Sequence, residues 1–272
     1  MAIGVFVGLS GGCAVSPYQQ VEITESSRTL RLRDDEEQIV RGRKIPVFDR
    51  TIGWVWPESL LAKLILWNHR VDSHVISSET EEALRKYLEI NNLEHVKVRL
   101  NKWDVREEWR RSLTNREIEP WFRYSFGVLN AIQYTLFPGR VFGGDNYRPY
   151  SNTINLFSDI PAVGLHEGGH AKDFGRRTWK GLYAAISGLP FASFYYEAVA
   201  TGDVMGYLHE YGEKEELRDA YHILYPAYGT YLGGEISSLA PDEVVGLGVY
   251  TTFILGSHMV GRIRGLQVRT AD

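Results

Sequence analysis

The stretch that decides the fold is residues 153–174, which read TINLFSDIPAVGLHEGGHAKDF. Its first five residues are mostly β-branched or apolar and predict a short strand. Ser158 and Asp159 then supply N-cap chemistry, and Pro161 suits the first turn of a helix. The sequence therefore predicts a strand that is followed at once by a helix over about 160–174.

The predicted helix carries the run His166-Glu167-Gly168-Gly169-His170. Two histidines four residues apart lie on one helical face, so both imidazoles can bind the same metal ion. Glu167 projects beside that ion, where it can accept a proton from a water molecule. The motif predicts two metal ligands, His166 and His170, and a general base, Glu167. The alternative is a helix whose histidines are ordinary surface or core residues.

A third ligand is needed, because a catalytic zinc ion takes three protein ligands and leaves one position open. Residues 195–203 read YYEAVATGD, a second helical segment with an early acid, Glu197. The strand, the HExxH helix and this acidic helix resemble the gluzincins, the zincin metallopeptidases whose third zinc ligand is Glu. The resemblance covers about 153–207. It implies Zn²⁺ held by His166, His170 and Glu197, with an extended substrate adding to the edge of the strand that precedes the motif.

The residues after the motif narrow the class. The metzincin pattern places Gly at 173 and His or Asp at 176, whereas this chain has Asp173 and Arg176, which excludes that class. In gluzincins an Asp four residues after the Glu ligand orients a zinc histidine; here the next Asp is six residues on, at Asp203. Asp173 is an alternative for that role, or it pairs with Lys172 or Arg176. Candidates for a transition-state donor are His209 and His222.

Composition excludes other classes of function. The net charge of −4 provides no basic field for nucleic acid, and the hydrophobic fraction of 44% suits a globular chain with a sizeable core. The single cysteine, Cys13, excludes an intramolecular disulfide and a cysteine-based zinc site. We therefore expect a peptide or protein substrate and no nucleic-acid partner; the sequence does not indicate an oligomeric state.

The N-terminus resembles a bacterial lipoprotein signal segment. An apolar run over 2–9 leads through small residues to Cys13, which processing would leave as a lipidated N-terminus in the cell envelope. Ser10 stands where Leu is usual, and no basic residue precedes the apolar run. The alternative is an inert thiol in an unprocessed chain. Residues 14–44 are polar and predict a tether.

Several elements are predicted upstream of the motif. Residues 57–66 predict a short buried helix, and the capping box Ser78-Glu79-Thr80-Glu81 predicts a helix that runs to about 89. Residues 96–100 alternate apolar and charged side chains, as in a strand with one wet face. Residues 107–113 predict a short amphipathic helix, and the Gly143-Gly144-Asp145 sequence predicts a plain turn.

Two apolar, glycine-containing stretches end the chain, over 221–239 and 244–261, and a hairpin of the two would turn at 241–243. They suit either a membrane hairpin or a packed hairpin of a soluble fold. Arg262 and Arg264 after the second stretch favour a cytoplasmic end, which conflicts with a lipoprotein whose catalytic part lies outside.

These observations predict an α+β, zincin-like domain over 45–212, after a signal segment (1–13) and the tether, with a helical hairpin and tail over 213–272. The predicted activity is zinc-dependent hydrolysis of peptide bonds through a metal-activated water with Glu167 as general base. The alternatives are a membrane-attached, non-catalytic scaffold protein with a structural or vestigial zinc site, and a zinc hydrolase acting on another bond. Gly168 and Gly169 within one helical turn suggest a close backbone approach, from the Glu197 helix or the preceding strand.

Overall fold

A small mixed sheet lies at the centre of the part of the chain that carries the motif. The structure is a computed structural model and describes residues 18–19, 32–33 and 35–269. Strands β1 (Ile39–Arg41), β2 (Lys97–Leu100), β3 (Asn146–Arg148) and β4 (Thr153–Leu156) form it in the order β1-β2-β4-β3. The pairs β1–β2 and β2–β4 are parallel, and β3 is antiparallel to β4. With the helices around it, this sheet confirms the α+β class.

The strand before the motif is an interior strand. β4 pairs with β2 on one side, where Ile154 stands opposite Val98, and with β3 on the other, where it stands opposite Tyr147. The expectation that a substrate adds to the edge of this strand is therefore wrong, because both sets of its backbone hydrogen-bonding groups are already used. β1 and β3 form the edges of the sheet.

The prediction that β2 has one wet face is wrong. All four of its side chains are buried, including Lys97 and Arg99. Arg99 forms ion pairs with Glu107 and Glu108, the latter at 2.7 Å, in helix α5 (Val105–Thr114; helices are numbered along the chain). A charged side chain can be buried when a partner neutralises it, and here the partners come from the next helix.

The predicted tether ends inside the fold. β1 is paired in the sheet, and Glu36 just before it forms ion pairs with Lys97, Arg110 and Arg111. Burial by itself raises the pKa of Glu36, but the attraction of these cations outweighs it, so the pKa falls from its ordinary 4.5 to about 2. Cys13 and the signal segment lie outside the described residues, so the lipoprotein interpretation stays a prediction.

Helix α4 (Ser78–Ile90) forms where the capping box predicts it and buries Leu84, Tyr87 and Leu88. Its N-cap is Ser77 rather than Ser78, since the Ser77 hydroxyl accepts a hydrogen bond from the Thr80 amide.

Helix α3 (Pro57–Leu66) is also present, but the prediction that it is buried is wrong. Leu61 and Leu64 are 56% and 64% exposed, while Ser59 and Lys63 face inward. The Lys63 ammonium explains this orientation, because it donates to the backbone carbonyls of Trp54 and Asp72. The other helices around the sheet are α1 (Pro46–Arg50), α2 (Ile52–Val55), α6 (Pro120–Tyr124), α7 (Phe126–Leu136), α8 (Gly139–Phe142), α9 (Pro161–Gly175) and α10 (Lys180–Ser187).

The chain divides into two compact units. The sheet unit is Gln20–Gly188, and the hairpin unit is Leu189 onward with Tyr18 and Gln19. The hairpin unit contains α11 (Ala192–Tyr211), α12 (Lys214–Ser237) and α13 (Glu243–Arg269). The predicted domain boundary after Gly212 lies inside the hairpin unit, at the short connection between α11 and α12. These helices pack together within one unit, where the Tyr228 hydroxyl donates to the Phe194 carbonyl.

Candidate metal centre

A short turn joins β4 to α9, the helix that carries the motif. The backbone amides of Phe157 and Ser158 both donate to one carboxylate oxygen of Asp145, at 2.7 and 3.0 Å. The sequence pattern predicted only a plain turn at Asp145 and did not indicate that its carboxylate accepts these two backbone hydrogen bonds. The only signal was an acidic residue directly after two glycines, and Gly143 and Gly144 do adopt positive φ. Asp145 fixes the path of the chain into the motif helix.

The predicted N-cap of this helix is wrong. Ile160 occupies the N-cap position of α9 and makes no side-chain capping bond. The Asp159 carboxylate instead accepts hydrogen bonds from the amide and hydroxyl of Ser77 and from the Thr80 hydroxyl. It therefore ties the start of α9 to the start of α4, two points about 80 residues apart in the sequence.

The two motif histidines meet on one face of α9. Their ring centroids lie 4.5 Å apart, and the two Nε2 atoms are separated by 3.0 Å. Zinc–nitrogen bonds of about 2.0–2.1 Å at a tetrahedral angle would place two ligand nitrogens about 3.3 Å apart. His166 and His170 are thus close to the separation that a shared metal ion requires.

Glu167 and Glu197 are both buried, at 7% and 6% exposure. Glu167 lies next to His166 on α9, and Glu197 lies in the first half of α11. One ligand atom from each of His166, His170 and Glu197 lies within 4.8 Å of the others, so the group could hold a metal ion. Two imidazole nitrogens and one carboxylate oxygen are a donor set that catalytic zinc sites use.

Helix α4 packs against the motif helix at its glycines. A Cβ atom at Gly168 would lie 2.7 Å from Cε1 of Tyr87, and one at Gly164 would lie 3.3 Å from Cδ1 of Leu156. The close approach at Gly168 thus comes from the Tyr87 ring of α4, an element that the sequence did not suggest. Burial of Tyr87 was predicted, but its partner could not be.

Asp173 is part of a separate ionic cluster at the end of α9. Its carboxylate pairs with Arg176 at 3.1 Å and with Arg177, and it accepts a hydrogen bond from the Tyr183 hydroxyl. Of the two alternatives for Asp173, the structure shows the pairing with Arg176. Asp173 itself is buried, at 1% exposure, whereas the Arg176 side chain is 32% exposed.

The remaining candidates lie outside the group of three ligands. Asp203 is half-buried on α11, six residues from Glu197, and its role in orienting a zinc histidine stays a prediction. His209 is exposed near the end of α11. His222 is on α12, and its ring faces α13, where a Cβ atom at Gly265 would lie 2.6 Å from its Nε2 atom.

Comparison with known proteins found no family model, no curated protein and no solved structure that matches this chain. A function must therefore be inferred from the side chains of the site.

Proposed function

We propose that this chain is a zinc-dependent metallopeptidase in which His166, His170 and Glu197 hold the zinc ion. The observation that supports the proposal is the grouping of these three buried or half-buried side chains within 4.8 Å of one another. A histidine pair alone would be compatible with a structural role. A carboxylate added to it matches the three-ligand set that leaves one position for the reaction.

Zinc bound by these residues would activate a water molecule and polarise the carbonyl group of the substrate. The adjacent Glu167 carboxylate takes one proton from the attacking water as its oxygen adds to the carbonyl carbon. Glu167 then delivers that proton to the amide nitrogen as the C–N bond breaks, so that a free acid and a free amine leave. Burial of Glu167 excludes bulk water from this proton transfer.

The assignment of peptides as substrates rests on the resemblance to gluzincins. Because β4 is paired on both sides, an extended peptide would have to add at β1 or β3, or bind without joining the sheet. The site itself fits hydrolysis of other carbonyl compounds equally well, so the test must include a protein substrate.

The experiment combines zinc content with cleavage of an unfolded protein such as casein. The wild-type chain should bind one zinc ion per molecule and cleave casein in a reaction that a chelator stops. Glu167→Gln should keep the zinc and lose at least about a hundredfold in rate, while His166→Ala should lose both. His209→Ala serves as the matched control and should change neither.

Two outcomes would refute parts of the proposal. Stoichiometric zinc in His166→Ala would show that the metal lies elsewhere. If the wild-type chain binds zinc, His166→Ala does not, and the wild-type chain cleaves no casein, the non-catalytic scaffold alternative would be favoured.

A further inference from the structure

Two polar side chains near the centre of the C-terminal helix α13 are buried. Ser257 and His258 are 3% and 2% exposed, although they are the most polar residues in its central part. The Ser257 hydroxyl donates to the Phe253 carbonyl one turn earlier, and the His258 ring contacts the Arg262 guanidinium at 3.2 Å. In a helix that faces water, such residues would normally point outward.

The outer face of α13 is mostly apolar, with Thr251 and Thr252 as exposed polar residues near its centre. No Asp, Glu, Lys or Arg occurs between Glu243 and Arg262. The helix is long and apolar enough to cross a membrane by length and composition. The large side chains that it exposes are Val244, Leu247, Leu255, Met259, Ile263 and Leu266.

Glycines hold α12 and α13 at close range. A Cβ atom at Gly229 would lie 2.0 Å from the Ser257 Oγ, one at Gly233 would lie 3.1 Å from the Phe253 Cβ, and one at Gly261 would lie 2.4 Å from the Tyr221 carbonyl oxygen. Small residues that allow helices to approach, with polar groups inside the contact, are the packing mode used where no water surrounds the helices.

We propose that the outer face of α13 contacts the acyl chains of a lipid bilayer. The uncharged segment over 244–261 is about 27 Å long in a helix, close to the roughly 30 Å of the hydrocarbon core. Arg262 and Arg264 follow it directly, and their positive charges complement lipid phosphate groups at the membrane surface.

We assign lipid contact to α13 alone and not to α12, the other arm of the hairpin. Most of residues 220–233 of α12 are buried, and Glu235 of the same helix accepts a hydrogen bond from Ser193 of α11. The protein supplies a hydrogen-bond donor to this carboxylate, whereas transfer of the carboxylate into lipid would cost free energy. A second copy of this chain is a less suitable occupant. The uncharged length of this face and the two arginines at its end match a bilayer, and a contact with a second copy would require neither.

The test is flotation of the full chain with phosphatidylcholine–phosphatidylglycerol vesicles, after addition in detergent that is then removed. All variants carry Cys13→Ser, so that no acyl chain on that residue contributes. The chain should float with the vesicles. Leu255→Glu with Met259→Glu should reduce the floated fraction at least about tenfold, because two charges would enter the hydrocarbon region.

The matched control is Leu61→Glu with Leu64→Glu on α3. These leucines are 56% and 64% exposed, against 52% and 60% for Leu255 and Met259, and the control should float like the parent chain. Circular dichroism should show the same helix content in all three proteins. Equal flotation of the α13 variant and the parent would overturn the proposal. So would a parent chain that does not float but forms a dimer that the α13 changes dissociate. Neither result depends on zinc binding.

Discussion

At the scale of single residues, Gly168 is a position where packing tightly constrains the motif helix. A Cβ atom there would overlap two carbons of the Tyr87 ring, at 2.7 and 2.8 Å. The ring lies on the buried face of α4, so it cannot move outward without moving that helix. The glycine is therefore required by packing, despite its unfavourable helix propensity.

We expect Gly168→Ala to lower the free energy of unfolding by about 1–3 kcal/mol, because the added methyl group overpacks a buried contact. Gly175→Ala is the control at the end of the same helix, where a Cβ atom would meet no heavy atom within 4 Å. That change should be neutral or slightly stabilising. Urea unfolding followed by circular dichroism measures both, and equal effects would contradict the packing argument.

Asp145 is a residue whose ionisation should oppose folding at neutral pH. Burial and the neighbouring Asp72 raise its pKa to about 7, from an ordinary value of 3.8. A raised folded-state pKa contributes stability below pH 3.8 that is lost as the pH rises through 7.

Asp145→Asn should therefore gain stability relative to the wild-type chain as the pH rises from about 4 to 7, on the order of 4 kcal/mol. The asparagine oxygen can still accept the amide bonds of Phe157 and Ser158. The measurement is urea unfolding of both proteins at several pH values. A difference that stays constant across this range would show that the Asp145 charge is unimportant.

At the scale of elements, β2 depends on charges from other parts of the chain. Lys97 and Arg99 are buried because Glu36, Glu107 and Glu108 surround them, and Glu108 is shared at 2.7 Å with Arg148 of β3. Alternation predicted the strand correctly and its exposure wrongly. The alternating pattern does not reveal whether a charge meets water or a partner.

The Glu36 cluster should make the sheet sensitive to acid. The pKa of Glu36 is about 2 in the folded chain against 4.5 ordinarily, so its contribution is present above pH 4.5 and is lost as the pH falls toward 2. Glu36→Gln should lower the free energy of unfolding at pH 7 by about 2 kcal/mol. The difference from the wild-type chain should shrink below pH 4.5.

Acid titration of stability for the two proteins tests this prediction. Glu89→Gln is the control, since Glu89 is an exposed glutamate at the end of α4. A Glu36→Gln curve parallel to that of the wild-type chain throughout would show that the ion pairs contribute no pH-dependent stability.

At the scale of the whole molecule, zinc should stabilise the folded chain if the three proposed ligands bind it. Zinc at a hundredfold excess over its dissociation constant would add about 2.7 kcal/mol. For a chain of this size that corresponds to an increase in Tm of roughly 5–10 °C.

Differential scanning fluorimetry with and without zinc measures this shift. Glu167→Gln should keep the full increase, whereas His166→Ala and Glu197→Ala should lose most of it. An increase that survives in both ligand variants would show that zinc acts through another site.

The sequence by itself determined the features that depend on near neighbours. The strand over 153–157, the motif helix, the histidine pair four residues apart, α4 and the two C-terminal helices all follow from periodicity, caps and turn residues a few positions away. Their existence and type could be predicted. The ends of the strand, the motif helix and α4 lie within one or two residues of the prediction, whereas α12 begins at Lys214 and α13 ends at Arg269, well outside the apolar stretches. The candidate ligands could be named from spacing and resemblance.

Only the tertiary structure decided which groups meet across long stretches of chain. It placed β4 inside the sheet and buried Lys97 and Arg99. It directed the Asp159 carboxylate to Ser77 and Thr80 at the start of α4 rather than to its own helix, and it packed Tyr87 against Gly168. It also buried Ser257 and His258 and left a mostly apolar face of α13 exposed. The physical reason is that burial of a charge or a close approach depends on a compensating partner. Local sequence patterns do not encode where in the chain that partner lies.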